Sequence, residues 1–288
     1  MNVILRSVQR LFKWFLIVLL GACSGSKETL ELDSPVEYSF FVAGHVYGST
    51  ENYQGGLYDP FMDYVDSLNN DPNMDMGFLA GDIVKHSEFK YWSMVDQDLE
   101  NFQFQIRAAP GNHDLDSNTF FVDRFEGLYK TVSYNRDLFL VLDGNNGWNI
   151  SGAQKDFILD AVHNHDPKSG NIFVISHQLI WKGHERYETI GVNSHEGMAD
   201  TLTFWEELAP TFQALDCQTY FFAGDVGAFD WATPVFYDEM DNLTFIATGM
   251  GGGVKDNFII VDVHENKEVS FRLISLDPSK NLGPLEDY

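Results

Sequence analysis

Gly81-Asp82 closes the apolar run Met76-Gly77-Phe78-Leu79-Ala80, and Gly111-Asn112-His113-Asp114 closes Gln105-Ile106-Arg107-Ala108-Ala109-Pro110. Thirty residues separate the two closures, and Glu88 to Phe102 between them has helical spacing. Strand, helix and strand in that order build a parallel pair, with both polar closures at carboxyl ends of strands. Ligands of open α/β sheets collect beyond those ends.

Working outward, the pattern recurs. Tyr38–Ala43 ends at Gly44-His45, Asn171–Ser176 at His177, and Thr219–Ala223 at Gly224-Asp225. The spacing predicts helices over Asp59–Leu68, Gly152–Val162 and Thr203–Ala214. Thr131–Tyr134 and Leu138–Leu142 read as a hairpin through Asn135-Arg136-Asp137. The tail reads as three antiparallel strands, Pro234–Tyr237, Leu243–Thr248 and Phe258–Val263, with Val269–Ile274 as a fourth. Gly249-Met250-Gly251-Gly252-Gly253 joins two of them. Strand rather than helix follows it, so it reads as a loop or bulge and not as a phosphate cradle. No repeat or composition break divides residues 37–278. They read as one layered α/β domain, followed by a C-terminal tail over residues 279–288.

The chain has 288 residues, 44% hydrophobic and 21% charged, which suits a globular core and excludes disordered, collagenous and coiled-coil classes. Eighteen Lys and Arg against 43 Asp and Glu give a net charge of −25. Such a surface repels phosphate backbones, so nucleic acid is excluded as a partner. One small phosphorylated substrate held by a local metal ion is compatible with it. The 15% aromatic content reads as core packing rather than as a glycan-binding surface. Two cysteines make no disulfide scaffold, and Cys217, just ahead of an apolar strand, reads as a buried structural thiol.

Residues 1–22 read as a signal peptide. Arg6, Arg10 and Lys13 precede the apolar run Trp14–Leu20, and small residues follow. That run is too short to cross about 30 Å of hydrocarbon as a helix. Leu20-Gly21-Ala22-Cys23 resembles the bacterial lipobox, which implies a Cys23 that is lipidated and becomes the new N-terminus. Ser24 after it implies the outer membrane, hence a lipid-anchored protein of the bacterial cell envelope. Residues 23–36 are polar and aperiodic, a tether between lipid and domain.

Five strand ends thus carry His45, Asp82, Asn112-His113-Asp114, His177 and Asp225. In this order the chain resembles the calcineurin-like metallophosphoesterases. Their blocks are an Asp-x-His, a Gly-Asp, a Gly-Asn-His-Asp/Glu, a lone His and a Gly-His-x-His. The resemblance covers about residues 38–263, and Ser151-Gly152-Ala153-Gln154 is similar to the segment before the lone His. It implies a four-layer α/β/β/α sandwich of two mixed sheets. It also implies extracytoplasmic hydrolysis of a phosphomonoester or phosphodiester with a divalent metal (Mn, Zn, Fe or Mg).

The departures matter as much. Ala43 stands where the family has its first aspartate, and Asp225 and Gly227 stand where it has its last two histidines. Of the first metal's ligands only His45 and Asp82 remain. The second metal keeps Asp82, Asn112 and His177, with the Asp225 carboxylate in place of an imidazole, and carboxylate oxygen is a competent ligand for these metals. The resemblance therefore implies one metal per chain. It makes His113 the general acid with Asp114 orienting its ring, and lets His45 stand in as a cation or donor at the vacated position. Asp143, Asp230, His184 and His195 are loop residues able to supply missing ligands, and Lys85 reads as a solvated lysine. Restoring Ala43→Asp, Asp225→His and Gly227→His is expected to rebuild the first site. The rival class is a non-catalytic binding or scaffold lipoprotein on a phosphoesterase fold.

Overall fold

The computed structural model describes residues 34–288 apart from 52, 117, 167, 169 and 254. The signal segment, Cys23 and most of the tether lie outside the described residues.

Two sheets face each other. The first takes β1 (Val36–Gly44), β2 (Met74–Ala80), β3 (Gln105–Ala109), β10 (Asn257–His264) and β11 (Val269–Ser275), in the order β11-β10-β1-β2-β3. The second takes β4 (Lys130–Tyr134), β5 (Asp137–Val141), β6 (Ile172–Ser176), β7 (Thr219–Ala223), β8 (Val235–Met240) and β9 (Leu243–Thr248), in the order β4-β5-β6-β7-β9-β8. Strands β1, β2 and β3 run parallel, as do β5, β6, β7 and β9, and the remaining strands are antiparallel to their neighbours.

The two-residue period of a strand sorts the core. On β1, Tyr38, Phe40 and Val42 point into the space between the sheets, while Phe41 and Ala43 point to the helical side. Phe40 sits at the centre of the inter-sheet layer, 4.9 Å from Phe173 and 5.2 Å from Phe139 between ring centroids. The first sheet's outer face packs on α1 (Asp59–Met62), α2 (Val65–Asn69), α3 (Phe89–Leu99) and α4 (Phe120–Phe125). The second sheet's outer face packs on α5 (Gly152–Asn164), α6 (Phe204–Glu207) and α7 (Ala209–Gln213). The result is the layered α/β architecture that the strand pattern predicts, in the four-layer α/β/β/α form that the resemblance implies.

Four expectations differ from what is observed. The helix over Asp59–Leu68 is two short ones, α1 and α2, parted by a turn at Asp63-Tyr64. The helix over Thr203–Ala214 is two short ones, because Pro210 has no N–H to donate into the preceding turn. The tail strands are not one antiparallel set. β8 and β9 pair in the second sheet, β10 and β11 in the first, and Gly249–Gly253 carries the chain across. Every residue of β9 and of β10 is buried, so each takes partners on both edges, which one terminal meander does not offer. The last residues, expected as a tail, fold back, with Leu285 wholly buried in the inter-sheet layer.

Candidate metal centre

All five strand ends meet at one edge of the sandwich. Gly44 and Gly224 let the sheets close there. A Cβ on Gly44 would lie 2.4 Å from the Gly224 Cα, and one on Gly224 would lie 2.0 Å from the Ala80 carbonyl oxygen. The residues that follow are held in costly backbone. His45 and Asp82 both adopt left-handed conformations, φ 52° and 53°. For L residues with a Cβ this costs on the order of 1 kcal/mol each, and such outliers cluster at functional sites.

Asp82 is the hub. Its Oδ1 lies 3.3 Å from His177 Nε2 and its Oδ2 lies 3.6 Å from His45 Nε2. Asp225 Oδ1 approaches His177 Nε2 from the other side at 3.8 Å. The backbone N–H of His113 donates to Asp82 Oδ1 at 3.3 Å, which lays the Asn112-His113 peptide against the hub. Both histidines are tied by Nδ1: His177 donates to the Ala80 carbonyl at 2.9 Å and His45 to the Met250 carbonyl at 3.0 Å. A carbonyl only accepts, so in each ring Nε2 is the nitrogen turned to the carboxylates.

The charges follow from this packing. Burial alone would raise the Asp82 carboxyl, but the rings of His177 and His45 outweigh it and hold the group well below the usual carboxylate range. Burial opposes protonation of His177, yet Asp82 and Asp225 push the ring up to about 10. Burial wins at Asp225, raised to about 8, and at His45, lowered to about 4. His45 is therefore a neutral imidazole near pH 7. Burial thus disfavours the imidazolium, and the ring turns Nε2 to Asp82.

A correction concerns Asp114. It does not orient His113. Its carboxylate accepts the backbone N–H groups of Ile83, Val84 and Gly111, stitching the loop after β2 to the loop after β3. Desolvation and the Asp82 charge still raise its carboxyl to about 7. The His113 ring donates from Nδ1 to the Lys85 carbonyl at 2.8 Å instead. Asn112 and His113 line a pocket of ≈310 Å³ with Asn145, Trp148 and Gln178.

The vacated ligand position is occupied by backbone. Gly227 has φ 80°, and a Cβ there would lie 2.9 Å from both C and O of Gly249. Gly252 donates its N–H to the Gly227 carbonyl at 3.0 Å. The glycine loop thus fills the space a histidine would need. Asp256 takes the Gly253 N–H at 2.9 Å, so the segment is a braced loop, in keeping with the reading from sequence.

None of the loop candidates replaces the lost ligands. Asp143 accepts from the Asn145 side chain and His184 accepts the Arg186 N–H. His195 lies parallel to Trp148, and Asp230 lines a surface pocket. Lys85 donates to the Thr50 carbonyl. Cys217 is buried, its thiol raised to about 11, as suits a structural role. Sequence reading missed Asn193, whose amide holds the Val226 carbonyl and the Ala228 N–H and so fixes the turn after Asp225. It also missed Met250, which acts only through its backbone.

Among the described residues no group of three or more His, Cys, Asp or Glu forms a ready metal cage. The site tests differently at its two positions. The first keeps His45 and Asp82 alone and does not fit a second ion. At the other, His177 Nε2 is fully buried, has no hydrogen-bond partner and faces two carboxylates. These three groups are the nearest that the described residues come to a donor set for one cation.

No family model matches the chain, and no curated protein matches it in sequence. Solved structures match it in shape. A purple acid phosphatase, PPD1 from yellow lupin (Lupinus luteus) seeds, superposes with a TM-score of 0.60 at 12% identity, over 86% of this chain and 52% of that one. The fold is that of the metallophosphoesterases. The chain spans about half the length of the lupin enzyme. The phosphopantetheinyl hydrolase of Mycobacterium tuberculosis is more distant, with a TM-score of 0.43 at 9% identity over 86% of this chain and 99% of that one. Vps29 of Chaetomium thermophilum gives 0.34 at 10% identity over 82% and 95%. In this chain the loops after parallel strands of both sheets converge where the His–Asp cluster stands.

Proposed function

We propose that this chain is a phosphoesterase of the bacterial cell envelope, lipid-anchored through Cys23, that works with one divalent metal held by Asp82, Asn112, His177 and Asp225. The observation that carries the reading is the His177 ring. Its Nδ1 is locked to a carbonyl and its buried, unpartnered Nε2 is aimed between two carboxylates. When bound, the metal supplies a polarised P–O bond and a water of lowered pKa.

The chain's own residues do the rest. His113 has Nδ1 committed to the Lys85 carbonyl, so Nε2 is the nitrogen that gains and releases a proton beside the site. Its backbone N–H steadies Asp82. Asp114 holds both loops so that the Asn112-His113 peptide keeps its place. The pocket at Asn112 and His113 is lined by the Asn145 and Gln178 amides, the Trp148 indole and the Glu196 carboxylate, so a phosphoryl group there would draw its countercharge from the metal.

A second reading has its own support. His177 protonated against the Asp82 carboxylate, with Asp225 beside them, is a self-sufficient cluster, and Ala43 and Gly227 have removed half of the first site. On that reading the chain is a non-catalytic binding lipoprotein. Metal analysis of the purified domain, with p-nitrophenyl phosphate and bis-p-nitrophenyl phosphate turnover, separates the two. About one metal per chain and metal-dependent turnover supports the enzyme; neither metal nor turnover refutes it.

A further inference from the structure

The loops after β1, β7 and β9, which carry His45, Asp225 and Met250 to the centre, also enclose a separate pocket of ≈610 Å³. Ser49, Thr50 and Glu51 form one wall, Phe229, Asp230 and Trp231 another, and Gly251–Gly253 a third. An adjoining cavity of ≈350 Å³ shares Phe229, Asp230 and Gly252 with it and reaches Gly227, the vacated ligand position. Both fall within the usual range for small-molecule sites, roughly 300–1,000 Å³.

Trp231 is the feature that needs explaining. It is 67% exposed, while the indoles of Trp92, Trp148 and Trp181 are buried. Its ring lies flat on Phe229, centroids 4.4 Å apart and planes 5° from parallel. One aromatic face is thus spent on Phe229, which fixes the indole as a platform, and one remains open. Beside it are three hydroxyl residues, Ser49, Thr50 and Tyr58, and two carboxylates, Glu51 and Asp230, while the basic side chain of Lys255 lines the adjoining cavity.

We infer that this pocket binds the sugar ring of the substrate, a pyranose, with its C–H face on Trp231 and its hydroxyls donating to Glu51 and Asp230. A pyranose has the two matching properties: an apolar face for a single aromatic platform and several hydroxyl donors for carboxylate acceptors. The Glu51 and Asp230 carboxylates, with no cation in the larger pocket's own lining, argue against a second phosphate there. A nucleobase stacks equally well but presents few donors to two carboxylates. The inference deepens the phosphoesterase reading, since it makes the substrate a phosphorylated glycoside.

The test separates sugar binding from catalysis. Saturation-transfer NMR and calorimetry on the EDTA-treated domain use methyl glycosides of glucose, galactose, mannose and N-acetylglucosamine, with adenosine for comparison. At least one glycoside is expected to bind without metal, and Trp231→Ala to weaken it about tenfold, the scale of one lost stacking contact. Trp231→Phe should stay within about threefold of the parent. Asp82→Ala should leave glycoside binding intact while removing turnover, so a failed hydrolase reading does not mask the result. No glycoside binding, equal binding by Trp231→Ala, or adenosine binding more tightly than every glycoside overturns the inference.

Discussion

His177 Nε2 stands 3.3 Å from Asp82 Oδ1 with no hydrogen bond to settle it, and its other nitrogen is fixed on the Ala80 carbonyl. One position is therefore contested by a proton and a cation. In the metal-free protein His177 is raised to about 10 and Asp225 to about 8. Both groups are raised above their unfolded values near 6.5 and 3.9, so each contributes stability that is lost as pH climbs through the folded value. The chelated domain should lose thermal stability between pH 6.5 and 9.5. For a domain of this size about 1 kcal/mol is worth roughly 2–4 °C in Tm. Saturating Mn²⁺ should stabilise more at pH 8.5 than at pH 6, where protons compete. Calorimetry across that range checks both, and a chelated Tm that rises with pH refutes the arrangement.

Asp82 pairs with His45 and His177 and accepts the His113 N–H, whereas Asp143 braces Asn145. Loss of a residue that merely orients a ligand costs about 10–100-fold in metal affinity or activity, so a direct ligand sets a floor of roughly 100-fold. Asp82→Ala should strip the metal and reduce turnover by at least that much. Asp143→Ala should keep its metal. Equal losses in the two variants, by metal analysis and phosphodiester turnover, would mean that the ligand assignment is wrong.

The strand ends were legible because each leaves a local signature: an apolar run, a glycine, a polar side chain. Those signatures located His45, Asp82, Asn112, His177 and Asp225, and with them both parallel blocks. What Asp114 does was not legible, because its partners are backbone N–H groups 30 residues away that any sequence would supply. The same holds for Met250, whose carbonyl steers His45. Nor could the crossing at Gly249–Gly253 be read, since β9 and β10 are equally apolar and only partner choice tells the sheets apart. Trp231 was hidden by composition: most of the chain's aromatics do pack the core.

Anchoring is tested apart from the fold. If the thiol of Cys23 carries the lipid, Cys23→Ser should move the protein from the membrane to the soluble fraction of cells and leave turnover of the purified domain unchanged. Immunoblots of fractionated cells decide, and a variant still in the membrane pellet rules out Cys23 as the anchor.

The remaining prediction concerns whether the first metal position can be restored. On sequence alone Ala43→Asp, Asp225→His and Gly227→His supply the missing ligands. The structure opposes the third change. Gly227 holds φ 80°, and its Cβ position is 2.9 Å from the backbone of Gly249, itself pinned between β9 and the Met250 contact to His45. A left-handed residue with a side chain costs about 1–2 kcal/mol, and overpacking a closed site about 1–3 kcal/mol more. Backbone cannot swing aside as a side chain would. The triple variant should therefore bind no extra metal and should melt several degrees below the parent. The double variant Ala43→Asp, Asp225→His should keep the parent's single ion. Metal counts by plasma emission and melting curves check this. A folded triple variant with one more metal per chain would show that the glycine loop yields, and that its packing against Gly227 is a consequence of the lost histidine rather than its cause.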